Sequence, residues 1–171
     1  MEDSYYNRYL PMKTKFQDKA KERTSQFQQF VEKHKYNSKI IQFGVRKQKI
    51  SEKWISIDLY DRSPVIDYNW DIMNLPISDD TFDGIVCNAI LEHVPYPEKA
   101  IQEMYRILAK DGEIWAEIPF IQPYHPSPQD YWRVSPIGID IWFNMFNKID
   151  SGMFYAEGSP IYVGVFFHGR K

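Results

Sequence analysis

Asp71-Ile72-Met73-Asn74-Leu75-Pro76, then Asp79-Asp80, Phe82-Asp83-Gly84-Ile85-Val86-Cys87-Asn88 and Leu91-Glu92-His93-Val94, is the stretch on which the reading of this chain turns. Residues 84–88 are a short apolar run between polar segments, the pattern of a strand buried on both faces. Pro97 and Glu98 then open the clearest helix of the chain, with Ala100, Ile101, Met104, Ile107 and Leu108 on its apolar face and Asp111-Gly112 at its close. A second apolar run, 113–118, follows at once. Strand, helix and strand in this order predict a parallel pair, because the crossover helix returns the chain to the same end of the sheet.

Working outward, candidate strands cover 39–43, 54–57, 65–68, 84–88, 113–118, 148–155 and 161–167. The last two are joined by Ala156-Glu157-Gly158-Ser159-Pro160, too short for a parallel crossover, so they form an antiparallel hairpin. Another helix is expected from about Pro136 to Phe146, presenting Ile137, Ile141, Phe143 and Phe146. Towards the N-terminus, Phe16, Ala20, Phe27, Phe30 and Val31 recur at helical spacing between about Lys13 and Lys35. That amphipathic helix reads as a lid or brace, preceded by a lead-in arm over 1–12 containing Tyr5, Tyr6, Tyr9 and Pro11. The expected fold class is α/β: a mostly parallel seven-stranded sheet ending in an antiparallel hairpin, with an arm and helix at 1–37 and the domain proper at 38–171.

The 171 residues are 43% hydrophobic and 16% aromatic, enough for a single core. No run of eighteen apolar residues is present and the first residues are polar, which predicts a soluble, cytoplasmic protein without a membrane partner. The single cysteine, Cys87, sits in a strand-like run and reads as a small buried hydrophobe. Residues 1–53 carry thirteen Lys/Arg against six Asp/Glu, and residues 54–171 carry eight against seventeen. A basic first third suits an anionic partner, yet no aromatic-basic stacking platform accompanies it. A solvated helix face is therefore preferred to nucleic-acid binding. Phe154, Tyr155, Tyr162, Phe166 and Phe167 either fill a core or offer a contact surface to a second copy, so an oligomer is left open.

The order D-x-x-x-L-P, F-D-x-V, L-E-H-V, then the helix Ala100–Leu108 and Asp111-Gly112-Glu113, resembles the class I S-adenosylmethionine-dependent methyltransferases, of the type 11 kind, over residues 38–167. The resemblance implies a Rossmann-like fold with S-adenosylmethionine held at the carboxyl ends of the first strands. It assigns the ribose hydroxyls to Asp58, beside Leu59, and the adenine amine to Asp71, with Ile72 and Leu75 as apolar walls. Asn88 and Ala89 would line the sulfonium end, and Leu91-Glu92-His93 would help to shape the pocket. Asp58 also reads as a turn aspartate and His93 as a donor to backbone. The segment His125-Pro126-Ser127-Pro128-Gln129-Asp130-Tyr131-Trp132-Arg133 resembles one found in methyltransferases of sugar and cell-surface glycan pathways. His125 is the candidate general base, with Tyr131 and Arg133 to hold an anionic or sugar substrate. The alternative is that Asp130 and Arg133 pair with each other and cap the next helix.

One element departs from the family. Its glycine-rich turn reads here Phe43-Gly44-Val45-Arg46-Lys47, with only Gly44 left, and nine residues (45–53) separate it from the second strand, too few for a full crossover helix. As an enzyme, the chain would seat the amino-acid end of the cosubstrate on Phe43, Gly44 and Val45, with Arg46 or Lys47 at its carboxylate and no metal required. As a non-catalytic relative, it would serve as a binding or regulatory subunit. A nicotinamide-dependent oxidoreductase is disfavoured, since G-x-G-x-x-G is missing.

Overall fold

Period-two burial organises the sheet. The structure, a computed structural model, describes residues 18–36, 38–45, 48–155 and 163–171. The arm at 1–12, Phe16, Arg46, Lys47, the 156–160 link and Tyr162 lie outside them. The strands are β1 (Ile40–Phe43), β2 (Ile55–Ile57), β3 (Phe82–Asn88), β4 (Leu108–Ile121), β5 (Asn147–Tyr155) and β6 (Val163–Arg170). Ile41, Phe43, Ile85, Cys87, Ile114, Ala116, Ile118, Val165 and Phe167 enter one apolar cluster; Ile40, Val86, Trp115 and Phe166, between them in sequence, enter another on the opposite face. Each face is then covered. Helices α2 (Pro97–Ile107) and α3 (Pro136–Trp142) close the first through Ala100, Ile101, Met104, Ile107, Ile139 and the following Phe143. Helix α1 (Ala20–His34) closes the second through Phe30, which meets Trp54 edge-on and packs beside Trp115.

The strand order is β2-β1-β3-β4-β6-β5, with the first four parallel and β6 antiparallel to both β4 and β5. The Rossmann-like layout and the terminal hairpin thus hold, but the expected seventh strand does not form among the described residues. Residues 65–68 make a lone bridge from Tyr68 to Ile57. Beside the few backbone bonds at Ser56 and Tyr68, a side chain joins the segment to β2: Asp67 accepts hydrogen bonds from the Ser56 amide at 2.8 Å and the Lys49 ammonium at 2.5 Å. Burial alone would raise the Asp67 carboxyl, but Lys49 and Ser56 bring it below its ordinary value. The first crossover is abbreviated as expected, with no helix among its described residues. Buried Gln42 ties it down, accepting from the Ile50 amide and donating to the Gly44 carbonyl.

Two helices differ from expectation. Helix α2 ends at Ile107, not at Asp111-Gly112, and β4 starts in the next residue. Phe82 pairs with Leu108 and Gly84 with Glu113, so 109–112 loop out of the ladder with Asp111 at φ 63°. Helix α3 stops at Trp142, and its Ile137 and Ile141 are exposed while Ile139 is buried. The phase is set by Ser135, whose hydroxyl caps the Gly138 amide at 3.0 Å and so rotates Ile139 and Phe143 inward. Of the aromatic residues in the last two strands, Phe154, Phe166 and Phe167 are core and Tyr155 is exposed.

The basic first third meets the acidic remainder within the fold. Lys19 pairs with Asp150, Arg23 with Glu117 and Lys33 with Glu113, so α1 is clamped to β4 and β5 by charge as well as by Phe30. Glu113 is nearly enclosed, with His34, His168, Lys33 and Arg170 around it. The adjacent His168 and His34 rings, with the hydrogen bonds from Lys33 and Arg170, outweigh burial and hold its carboxyl far below the usual range. Because the folded value is depressed, the contribution is complete above the unfolded value of about 4.5 and fades as pH falls below it. Glu113→Gln, which strands the surrounding cations, is expected to cost about 3 kcal/mol in urea unfolding at pH 7. The gap to the parent protein should narrow as the same titration is repeated at lower pH.

Candidate active site

Strand β1 has β2 on one side and β3 on the other, so the chain leaves it in one direction and returns in the other. Such a reversal opens a crevice at the carboxyl ends of the two central strands. The crevice is present as a cleft of about 570 Å³. Phe43, Gly44, Val45, Asp58, Leu59, Asp71, Ile72, Asn88, Ala89 and His93, all expected on sequence grounds to face a ligand, line it together with His125. Leu75 does not; it is buried in the core, and Met73 stands beside Ile72 in the lining.

At the floor, Gly44 has φ 79°, and a Cβ built on it would fall 2.7 Å from the Asn88 carbonyl oxygen and 2.7 Å from the Ile90 side chain. Only glycine permits this approach of β1 to the end of β3. Ala89, just past β3, also has positive φ, 53°, held by the hydrogen bond that its amide donates to the Glu117 carbonyl at 2.8 Å. Both bends fall where the chain turns away from the sheet, and they leave the space of the cleft between them.

The two aspartates behave alike. Asp58, one residue past β2, accepts the amides of Tyr60 and Asp61 on Oδ1 at 2.8 Å each, and Asp71 accepts the Met73 amide on Oδ1 at 2.8 Å. Each is therefore a turn residue that also lines the cleft. The other oxygen, Oδ2, carries no hydrogen bond among the described residues in either case. Asn69 spans the Asp58 and Asp61 carbonyls at 2.6 Å each and keeps this turn in place. Trp70, stacked on Tyr68 with ring centres 4.2 Å apart, adds an aromatic wall.

The opposite wall is a loop stapled to a turn. The short 3-10 turn Leu91–His93 follows β3. The Glu92 carbonyl accepts the amides of Tyr131 and Trp132 at 2.7 and 3.3 Å, Trp132 Nε1 donates to the Val94 carbonyl at 2.9 Å, and His93 Nδ1 lies 2.5 Å from the Gln129 carbonyl. These bonds bring His125 to the rim, its ring edge-on to His93 with centres 5.1 Å apart. The loop is stiffened from within. Arg133 grips Asp130 through both nitrogens at 2.6 and 2.7 Å, while Asp130 accepts the His125 amide at 2.8 Å. The Arg133 bond is the chief reason that the Asp130 carboxyl lies well below its ordinary value despite burial. Arg133 and Tyr131 do not line the cleft: the guanidinium also donates to the Gln122 and Pro123 carbonyls, and Tyr131 is half exposed. The cap of α3 is Ser135, not the Asp130–Arg133 pair.

Glu92 is the residue that sequence reasoning undervalued. Its side chain is wholly buried, lines the cleft and lies between the two histidines. The only hint was its adjacency to His93, since His125 is far along the chain.

Residues 45–116 match the model of the methyltransferase domain family. This segment holds Asp58, Asp71, Asn88 and His93, and its fold is that of the sheet just described. Over that segment the chain is similar to the methyltransferase domain family, and its sheet has the class I methyltransferase fold. A demethylmenaquinone methyltransferase of Desulfitobacterium hafniense is 35% identical over 77 residues, 42% of this chain and 30% of that enzyme, so less than a third of that relative's length is spanned. Among solved structures, the N-methyltransferase NodS of Bradyrhizobium japonicum, in complex with S-adenosyl-L-homocysteine, superposes with a TM-score of 0.64 at 14% identity, covering 88% of this chain and 86% of NodS. A Burkholderia thailandensis 1,6-didemethyltoxoflavin-N1-methyltransferase, with its substrate and S-adenosylhomocysteine bound, gives 0.61 at 12% identity, covering 77% and 70%. This chain keeps the shared fold with a single glycine at its first turn. Gly44→Ala should therefore lower stability by about 1 to 3 kcal/mol in thermal or urea unfolding, because strain and the Asn88 contact act together.

Proposed function

We propose that this methyltransferase domain transfers a methyl group from S-adenosylmethionine to a small-molecule or sugar acceptor. The reading is carried by one observation: Asp58 and Asp71 face the same cleft, each with one oxygen fixed by its turn and the other without a partner among the described residues. Two oriented acceptors across an apolar hollow suit a ribose diol and an adenine amine. The cosubstrate supplies a sulfonium-bound methyl carbon, which is transferred while the C–S electron pair stays on sulfur and neutralises it.

The protein's part is positioning and proton transfer. Asp58 accepts the ribose hydroxyls, Asp71 accepts the adenine amine, and Ile72, Met73 and Trp70 enclose the ring. Gly44 and Val45 let backbone come close at the amino-acid end. Arg46 and Lys47, assigned to the carboxylate on sequence grounds, are outside the described residues. His125, at the rim and one-third exposed, takes the acceptor's proton at Nε2. Its Nδ1 faces the Pro123 carbonyl at 2.9 Å and Asp130 at 3.3 Å, two acceptors that stabilise the imidazolium formed, while the Arg133 guanidinium 3.2 Å away has its charge answered by Asp130. Holding the acceptor in line and dry contributes the rest of the rate. A small acceptor is supported by the remaining room in the cleft and by the Burkholderia relative, whose bound substrate is small.

Adding S-adenosylhomocysteine is expected to raise the melting temperature in proportion to the logarithm of its concentration, by mass action on the folded state. Asp58→Ala and Asp71→Ala should each weaken that ligand about tenfold or more, while His125→Ala leaves its binding in place and lowers methyl transfer about 100-fold or more. No thermal shift at millimolar ligand would sink the reading and favour a non-catalytic binding or regulatory subunit.

A further inference from the structure

At the acceptor end of the cleft three side chains meet that the proposed chemistry uses only in part. Glu92 Oε1 lies 3.7 Å from His93 Nε2 and 3.9 Å from His125 Nε2, and one donor atom from each falls within 4.8 Å of the others. We propose that Glu92, His93 and His125 bind a divalent first-row transition-metal cation, with its open positions facing the cleft.

The donor set is the first argument. Two imidazole nitrogens and a carboxylate oxygen suit Zn²⁺, Mn²⁺ or Co²⁺ and leave positions for outside ligands. Around a metal with bonds near 2.1 Å, tetrahedral donors stand about 3.4 Å apart, so Glu92 Oε1, 3.7 and 3.9 Å from the two rings, closes on each by a few tenths of an ångström.

The second argument is the orientation of the rings. His93 Nδ1 lies against the Gln129 carbonyl, and His125 Nδ1 against the Pro123 carbonyl and Asp130. At His93 the acceptor at Nδ1 requires the proton there, which leaves the lone pair of the neutral ring on Nε2, the atom aimed at Glu92; at His125 the two acceptors outweigh the single Arg133 donor, 3.2 Å away, and favour the same tautomer. Outer hydrogen bonds of this kind are how proteins fix metal-binding histidines. They are independent of the proximity of the three donors.

A comparison within the fold shows what the arrangement excludes. Glu113 also has two histidines beside it, His34 and His168, but Lys33 and Arg170 approach its carboxylate at 2.8 and 2.6 Å, and their charges oppose a cation, whereas Arg133 near His125 is engaged by Asp130. The rim site is built on the bonds between the 91–94 turn and the 122–133 loop, so its donors are held in place before any metal arrives.

Whether the cation binds is independent of the methyltransferase reading, but its use rests on that reading. An acceptor hydroxyl bound to it loses its proton to water more readily, and the resulting oxyanion is held at the methyl donor. His125 Nε2 is then a ligand, and the cation takes over its role.

The test uses the full chain without an affinity tag. Titration with MnCl₂, ZnCl₂ and CoCl₂ by calorimetry, with and without S-adenosylhomocysteine, should show one equivalent bound by the parent protein. His93→Ala and His125→Ala should each weaken it at least tenfold. Since either variant can alter the loop, Mn²⁺-soaked crystals of the parent protein supply a second readout: an anomalous peak between Glu92, His93 and His125. No binding at millimolar cation, undiminished binding in both variants, or a peak confined to another position overturns the site. Cation binding without S-adenosylhomocysteine binding would leave the metal site standing and remove the methyltransferase reading; the reverse would do the opposite.

Discussion

The close approach of Gly44 to the Asn88 carbonyl, where β1 and β3 end side by side, is the constraint on which the rest of this structure depends. The topology reverses between these two strands, so helices cannot cover their ends on both sides and a crevice must open. Its depth depends on the absence of a side chain at Gly44. A β-carbon would have to displace backbone, which costs more than moving the end of a flexible chain. Here the abbreviated crossover is held to β1 by the Gln42 side chain, which bonds both the Gly44 carbonyl and the Ile50 amide.

The second wall is made by a different device. Backbone groups of the 91–94 turn bind the 122–133 loop, and Arg133 and Asp130 stiffen that loop from within. Residues that look chemical in sequence thereby divide into two groups. His125 and His93 reach the rim, whereas Arg133 satisfies carbonyls and a buried carboxylate. A buried carboxylate needs such a partner, and an arginine fork is the one that answers both oxygens at once.

Helix α1 illustrates how net charge can mislead. The first third of the chain is basic, yet Lys19, Arg23, Lys33 and Lys49 each contact a carboxylate of the acidic remainder. The asymmetry is thus a complementarity between a brace and the sheet it covers. Apolar contact does most of the holding, through Phe30 against Trp54 and Trp115, while the ion pairs select the orientation of the helix.

Sequence alone determined the elements whose signal is local. The apolar runs of β3 and β4, the Pro97 helix start and the short link before the last strand were each readable, because run length, proline geometry and loop length act within a few residues. The ten lining positions of the cleft were readable through motif order, since they lie at strand ends whose place the topology sets. Tertiary structure decided what depends on distant partners. Asp67 ties the segment of the expected seventh strand to Ser56 and Lys49 through its side chain, Ser135 turns Ile137 and Ile141 outward, and Arg133 is drawn into the loop. Glu92 meets His125 only because hydrogen bonds between two loops bring them together across 33 positions of chain, a coincidence in space that no local pattern encodes.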